Sequence, residues 1–284
     1  MRINNKLKLG FLALMLSLPM LPTQMVVAGQ NEQRAPPTAR TAGTLGTQVV
    51  RAITQIQEMM TPEDPEDEPD LVGAKEGLDR LYERRYERMN DFEKQTILNF
   101  YTNYYLTTEN YPEAIKIFEQ LLTIEALRED TRMRSLLSLG QLQAAEENWR
   151  ESINAYVRWR ELSFEERDIV YRGLSYGHYQ IEEFAEAEPY WISYMELLLS
   201  EGAVLDRGDY SYLVGIYFTL EDYDKALELT KSMIVLFDES TDWINLSAIY
   251  AGLDEEELRI QSMNLALLKG HVNNENRFLN LGQS

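Results

Sequence analysis

The chain has 284 residues, with 27 Lys and Arg against 47 Asp and Glu and a formal net charge of −20. A surface with that field repels nucleic acid and anionic membrane faces; it favours a basic partner segment, or serves solubility alone. There is no cysteine, so disulfides, thiol chemistry and cysteine metal sites are excluded, and a hydrophobic content of 44% is enough for the chain to rely on an apolar core.

Residues 1–28 read as a signal peptide. Arg2, Lys6 and Lys8 precede an apolar core from Leu9 to Leu18, and Val26-Val27-Ala28 supplies the small residue a secretory peptidase needs. That core is too short to span a bilayer comfortably; an uncleaved amino-terminal anchor is the alternative reading. Cleavage would remove three basic residues and take the net charge to −23. Residues 29–44, rich in Gln, Thr, Ala, Pro and Gly, predict a flexible tether.

Residues 45–89 predict a degenerate helical hairpin. From Leu45 to Met60, Val49, Val50, Ile53, Ile56, Met59 and Met60 recur at helical spacing, and the run Pro62 to Asp70 then interrupts them. Three prolines and six carboxylates form neither helix nor strand interior, so this is an exposed loop; it lacks the glycine and ligand frame of a calcium-binding EF-hand. Leu71 to Met89 resumes a helix, with Leu78, Leu81, Tyr82, Tyr86 and Met89 on one stripe. The pair would cap whatever follows.

Residues 90–284 carry a repeat, opening with Asp91 as the expected N-cap. Its fullest copy is Gly208 to Phe237, two amphipathic helices from Gly208 to Leu220 and Tyr223 to Phe237, joined by Glu221-Asp222. Tyr210, Leu213, Val214 and Tyr217 share one face of the first helix, and Ala226 lets the second approach it. The pattern recurs at Trp243, Leu246, Ser247 and Tyr250; at Tyr171, Leu174, Ser175 and His178; at Leu136, Leu139, Gly140 and Gln143; and at Leu98, Tyr101, Thr102 and Tyr105. Phe278, Leu281 and Gly282 would begin a sixth copy, so the chain either truncates a longer protein or leaves its last face to a partner. The pattern resembles the tetratricopeptide repeat. The resemblance implies an all-α fold, a right-handed superhelical solenoid of antiparallel helix pairs, that acts by binding protein or peptide.

In that family the first helix of each pair lines an inner groove. By the same frame the groove residues here are Asn99, Asn103, Arg134, Gln141, Arg172, Tyr176, Tyr179, Tyr212, Phe218 and Asn245, a lining of amides, arginines and aromatics suited to an extended or helical peptide. The Lys of the family's carboxylate clamp is not present. His178 is expected to pack between helices with a hydrogen bond, and His271, after Gly270, to cap a helix end. No histidine pair has zinc-ligand spacing, no glycine-rich phosphate loop or Gly-x-Ser-x-Gly elbow occurs, and nothing selects two carboxylates as acid and base; neither a cofactor, a metal nor an enzymatic activity is expected. Glu87 to Leu122 and Asp242 to Gly270 are similar to periplasmic tetratricopeptide proteins found with TonB-type energy transduction systems of Gram-negative bacteria. That likeness implies a periplasmic accessory of iron-complex uptake, with a TonB-system component as partner. An envelope factor recruiting a cell-wall or exopolysaccharide export component is the alternative.

Overall fold

The computed structural model describes residues 43–64 and 66–273; the signal peptide, residues 29–42 of the tether and the start of a sixth repeat at Phe278, Leu281 and Gly282 lie outside the described residues. Among the described residues all regular structure is helical, as expected: twelve α-helices and one short 3-10 turn. The chain divides into two compact units between Glu147 and Asn148.

The first unit holds α1 (Thr47–Met60), α2 (Leu71–Arg85), α3 (Asp91–Thr107), α4 (Tyr111–Leu122) and α5 (Glu129–Ala145). Helices α1 and α2 pair through Val49, Ile56, Ala74 and Leu78, all buried. The described carboxylates of the acidic run between them are all exposed, and Asp70 caps α2 by accepting from the Gly73 amide at 2.8 Å. Two local expectations shift. Helix α2 stops at Arg85 and Tyr86–Arg88 turn as a 3-10 segment. The cap of α3 is Asn90 and not Asp91, because Asn90 and Glu93 form a reciprocal capping box; Glu93 also accepts from the Gly46 amide at 2.9 Å. Beyond α3, Ala114, Phe118 and Leu121 of α4 and Leu136 and Leu139 of α5 are buried.

The second unit holds α6 (Trp149–Leu162), α7 (Asp168–Gln180), α8 (Phe184–Ser200), α9 (Arg207–Thr219), α10 (Tyr223–Leu236), α11 (Ser240–Gly252) and α12 (Glu256–Leu268). The last six pair in succession. One apolar cluster joins α7, α8, α9 and α10 around Tyr171, Trp191, Leu213, Tyr217 and Ala226; a second joins α11 and α12 around Trp243, Leu246, Met263 and Ala266. The small residue near the start of each second helix is fully buried at Ala114, Ser152, Ala187 and Ala226, where a methyl or hydroxymethyl is all the space allows. In the last pair Arg259 holds that place, buried, its Nε 2.6 Å from Glu256. This is the helix-pair arrangement of a tetratricopeptide fold.

Tight turns set the pairs. Each first helix ends with its closing residue in the left-handed region, and the next amide donates back into the last turn: Asn110 to Tyr105, Glu183 to His178, Asp222 to Tyr217 and Glu255 to Tyr250, at 2.8 to 2.9 Å. The preceding left-handed residues are Glu109, Glu182, Glu221 and Asp254.

Candidate functional site

Helix α7 builds the densest group of the expected groove residues. Arg172, Tyr176 and Tyr179 follow at i, i+4 and i+7 and so share one face, while Tyr171, Leu174 and Ser175 turn into the core. All three are half-buried. Each tyrosine is propped by the first residue of a neighbouring second helix. Tyr176 meets Trp149 edge-on at 5.5 Å, and Tyr179 meets Phe184 edge-on at 5.1 Å. Phe218 of α9 repeats the Tyr179 arrangement one copy later, edge-on to Tyr223 at 5.5 Å, and it is 41% exposed. The Arg172 guanidinium acts electrostatically on the phenols of Tyr156 and Tyr194 behind it. Burial, more than any charge, pushes both phenols up, so they stay neutral; Tyr194 also feels the carboxylates of Asp209 and Asp168, which push it the same way.

The other expected residues are placed differently. Tyr212 is partly buried and packs on the same core cluster as Tyr179: its ring lies 5.2 Å from that of Tyr179 and 4.0 Å from that of Trp191, and its hydroxyl donates to the Ser175 carbonyl at 3.3 Å. Trp191 in turn donates through Nε1 to the Asp209 carbonyl at 2.8 Å, which fixes the start of α9. Asn245 is half-buried on α11. In the first unit Asn99 and Asn103 stand exposed one turn apart on α3, and Asn103 accepts weakly from Thr107 at 3.4 Å. Arg134 and Gln141 lie two turns apart on α5; Arg134 is exposed and 3.3 Å from Asp130.

The props Trp149, Phe184 and Tyr223 are legible in the sequence as the aromatic that opens a second helix, which reads as packing and not as part of the groove. Both histidines do what the sequence suggests. His178 Nδ1 lies 2.8 Å from Glu183 and its ring stacks on Tyr190, and the His271 amide donates to Ala266 past Gly270, whose φ is 83°. Among the described residues no group of His, Cys, Asp or Glu stands where it could hold a metal ion, and no helix is long and apolar enough to cross a membrane. What the α7 face offers is ring edges, phenol hydroxyls and a guanidinium, which hold apolar side chains, donate hydrogen bonds to a peptide's carbonyls and pair with a carboxylate.

No family model matches the chain, and no curated protein matches it. Among solved structures it is similar to the MamA protein, with 18% identity over 62% of this chain and 92% of that one and a TM-score of 0.48. It is also similar to YrrB, described as a TPR protein with an unusual peptide-binding site, with 14% identity over 67% and 90% and a TM-score of 0.48. A third is a STAND-type signal transduction ATPase with a tetratricopeptide repeat sensor from Pyrococcus horikoshii, with 19% identity over 78% of this chain, 36% of that one and a TM-score of 0.48. At such identities and scores these likenesses bear on neither partner nor activity.

Proposed function

We propose that this protein is a helical-repeat scaffold that works by binding a protein partner in the periplasm, as an accessory of a TonB-type energy-transduction system serving iron-complex uptake. The observation that carries the scaffold reading is the α7 face, where Arg172, Tyr176 and Tyr179 lie half-buried beside aromatic props and Phe218, 41% exposed, repeats the motif on α9. Rigid aromatics beside a guanidinium are the side chains that dominate protein interfaces. The periplasmic and TonB parts rest on the signal-like residues 1–28 and on the sequence likeness of Glu87 to Leu122 and Asp242 to Gly270. A net charge of −20 would draw a basic partner segment from a distance, and the aromatic face would then fix its position.

Affinity capture from cells carrying tagged protein tests both parts. Wild type is expected to recover a TonB-system component, and the variant Arg172→Ala/Tyr176→Ala/Phe218→Ala to recover at least about tenfold less, as for the loss of an interface hot spot. Recovery without any TonB-system component would remove that assignment. Equal recovery by the variant would remove the α7 face.

A further inference from the structure

The N-terminal hairpin carries opposite charge at its two ends. A groove of about 240 Å³ runs between α1 and α2. Its floor is Ala52, Ile56 and Gly77; a Cβ at Gly77 would come within 3.0 Å of Ile56, so small residues shape it. Its rim is Arg80, Arg84 and Arg85, all exposed. Arg80 approaches Glu76 at 3.6 Å, but with the two side chains 59% and 65% exposed the contact is worth little. Helices α3 and α4 use a different face of α2, where the Tyr101 hydroxyl donates to Asp79 at 2.8 Å and Gln120 Nε2 to Tyr82 at 2.7 Å. The groove is therefore basic, apolar at its base and turned away from the helices that follow.

The opposite end of the hairpin is the acidic loop, with Glu63, Asp64, Glu66, Asp67 and Glu68 all exposed. Because the helices run in opposite directions, Gln48 and Arg84 share one end and this loop the other, a helix length of about 20 Å apart. A loop tethered at both ends does not reach its own arginine end. Turned through a two-fold axis, a second hairpin presents its loop to that end, and the exchange is reciprocal, as an isologous contact requires.

We propose that two copies of the chain pair through this hairpin, the acidic loop of each seated on the Arg80, Arg84 and Arg85 rim of the other. The contact lies wholly within the first unit and is independent of the α7 face. The net charge of −20 on each copy opposes association, so the complementary ends must supply the attraction and the pair is a weak one.

A charge swap on the full chain, followed by sedimentation velocity, decides it. The rim variant Arg80→Glu/Arg84→Glu/Arg85→Glu and the loop variant Asp64→Lys/Glu66→Lys/Asp67→Lys should each self-associate at least about tenfold more weakly than wild type, and an equimolar mixture should recover a mixed dimer. Ala52→Leu, which fills the groove without changing charge, should weaken pairing as well. Recovery in the mixture cannot come from unfolded chains, so loss of fold is not mistaken for loss of contact. A monomeric wild type, variants that pair as wild type does, or a mixture that stays monomeric would overturn the proposal. So would a wild-type monomer that instead binds a synthetic acidic peptide with an apolar anchor.

Discussion

Six acidic residues hold a left-handed backbone: Glu109, Glu147, Glu182, Glu221, Asp238 and Asp254, with φ between 52° and 62°. For an L residue that conformation costs about 1–2 kcal/mol, against a larger folding entropy for glycine of about 0.5–1 kcal/mol. Glu221→Gly should therefore stabilise the protein by about 0.5–1 kcal/mol, read as a higher denaturant midpoint at unchanged slope. A lower midpoint would mean that the Glu221 side chain makes contacts worth more than the strain. The turn at Glu221-Asp222 is legible in the sequence, because short polar residues separate two amphipathic runs. The sign of φ is not, because Glu has no special tolerance for it. Asp242 marks the other limit. It is fully buried against Arg207, yet in sequence it looks like any of the other surface acids, and only an arginine one repeat earlier hints at its partner.

Elements in the second unit are clamped to their neighbours one repeat away. Arg150 meets Glu183 at 2.6 Å, Lys225 meets Glu188 at 2.9 Å, Lys269 meets Asp238 at 2.7 Å, and Arg207 bonds Asp242. These pairs join copies whose apolar faces already meet, so their role is register more than net stability. Glu183 is the most connected. Its bond to Arg150, and then that to His178, hold its carboxyl below the ordinary range. A carboxylate depressed in the folded state contributes stability that is complete above its unfolded value, about 4.3, and drains away as pH falls through that value toward the folded one. Thermal melts taken from about pH 5 to about pH 3 should thus fall more steeply for wild type than for Glu183→Gln. Parallel curves would show that the clamp does not form in solution. The repeat itself was readable from aromatic, Leu-small and Ala spacing, and helix α9 lies within a residue of the expected Gly208 to Leu220. The clamps were not, since charges one repeat apart are too common in an acidic chain to be singled out. The last pair departs from the pattern at Arg259, which is buried where the other second helices carry Ala or Ser.

For the whole molecule, composition excluded thiol and disulfide chemistry, because that follows from residue counts alone, while the all-helical class came from the repeat spacing. The site was only partly readable. Register names Arg172, Tyr176, Tyr179, Tyr212 and Phe218 alike, yet Tyr212 packs against Trp191 while Phe218 is 41% exposed, and no pattern within α9 separates the two. The distinction depends on which neighbour each ring meets. If the α7 face and Phe218 form the partner contact, site-specific photo-crosslinking in cells will trap it there. A photoreactive side chain at position 176 or 218 should give a discrete adduct with a TonB-system component, whereas one at Val235, 84% exposed on α10, should give none. Adducts at 235 and none at 176 or 218 would place the partner on another surface.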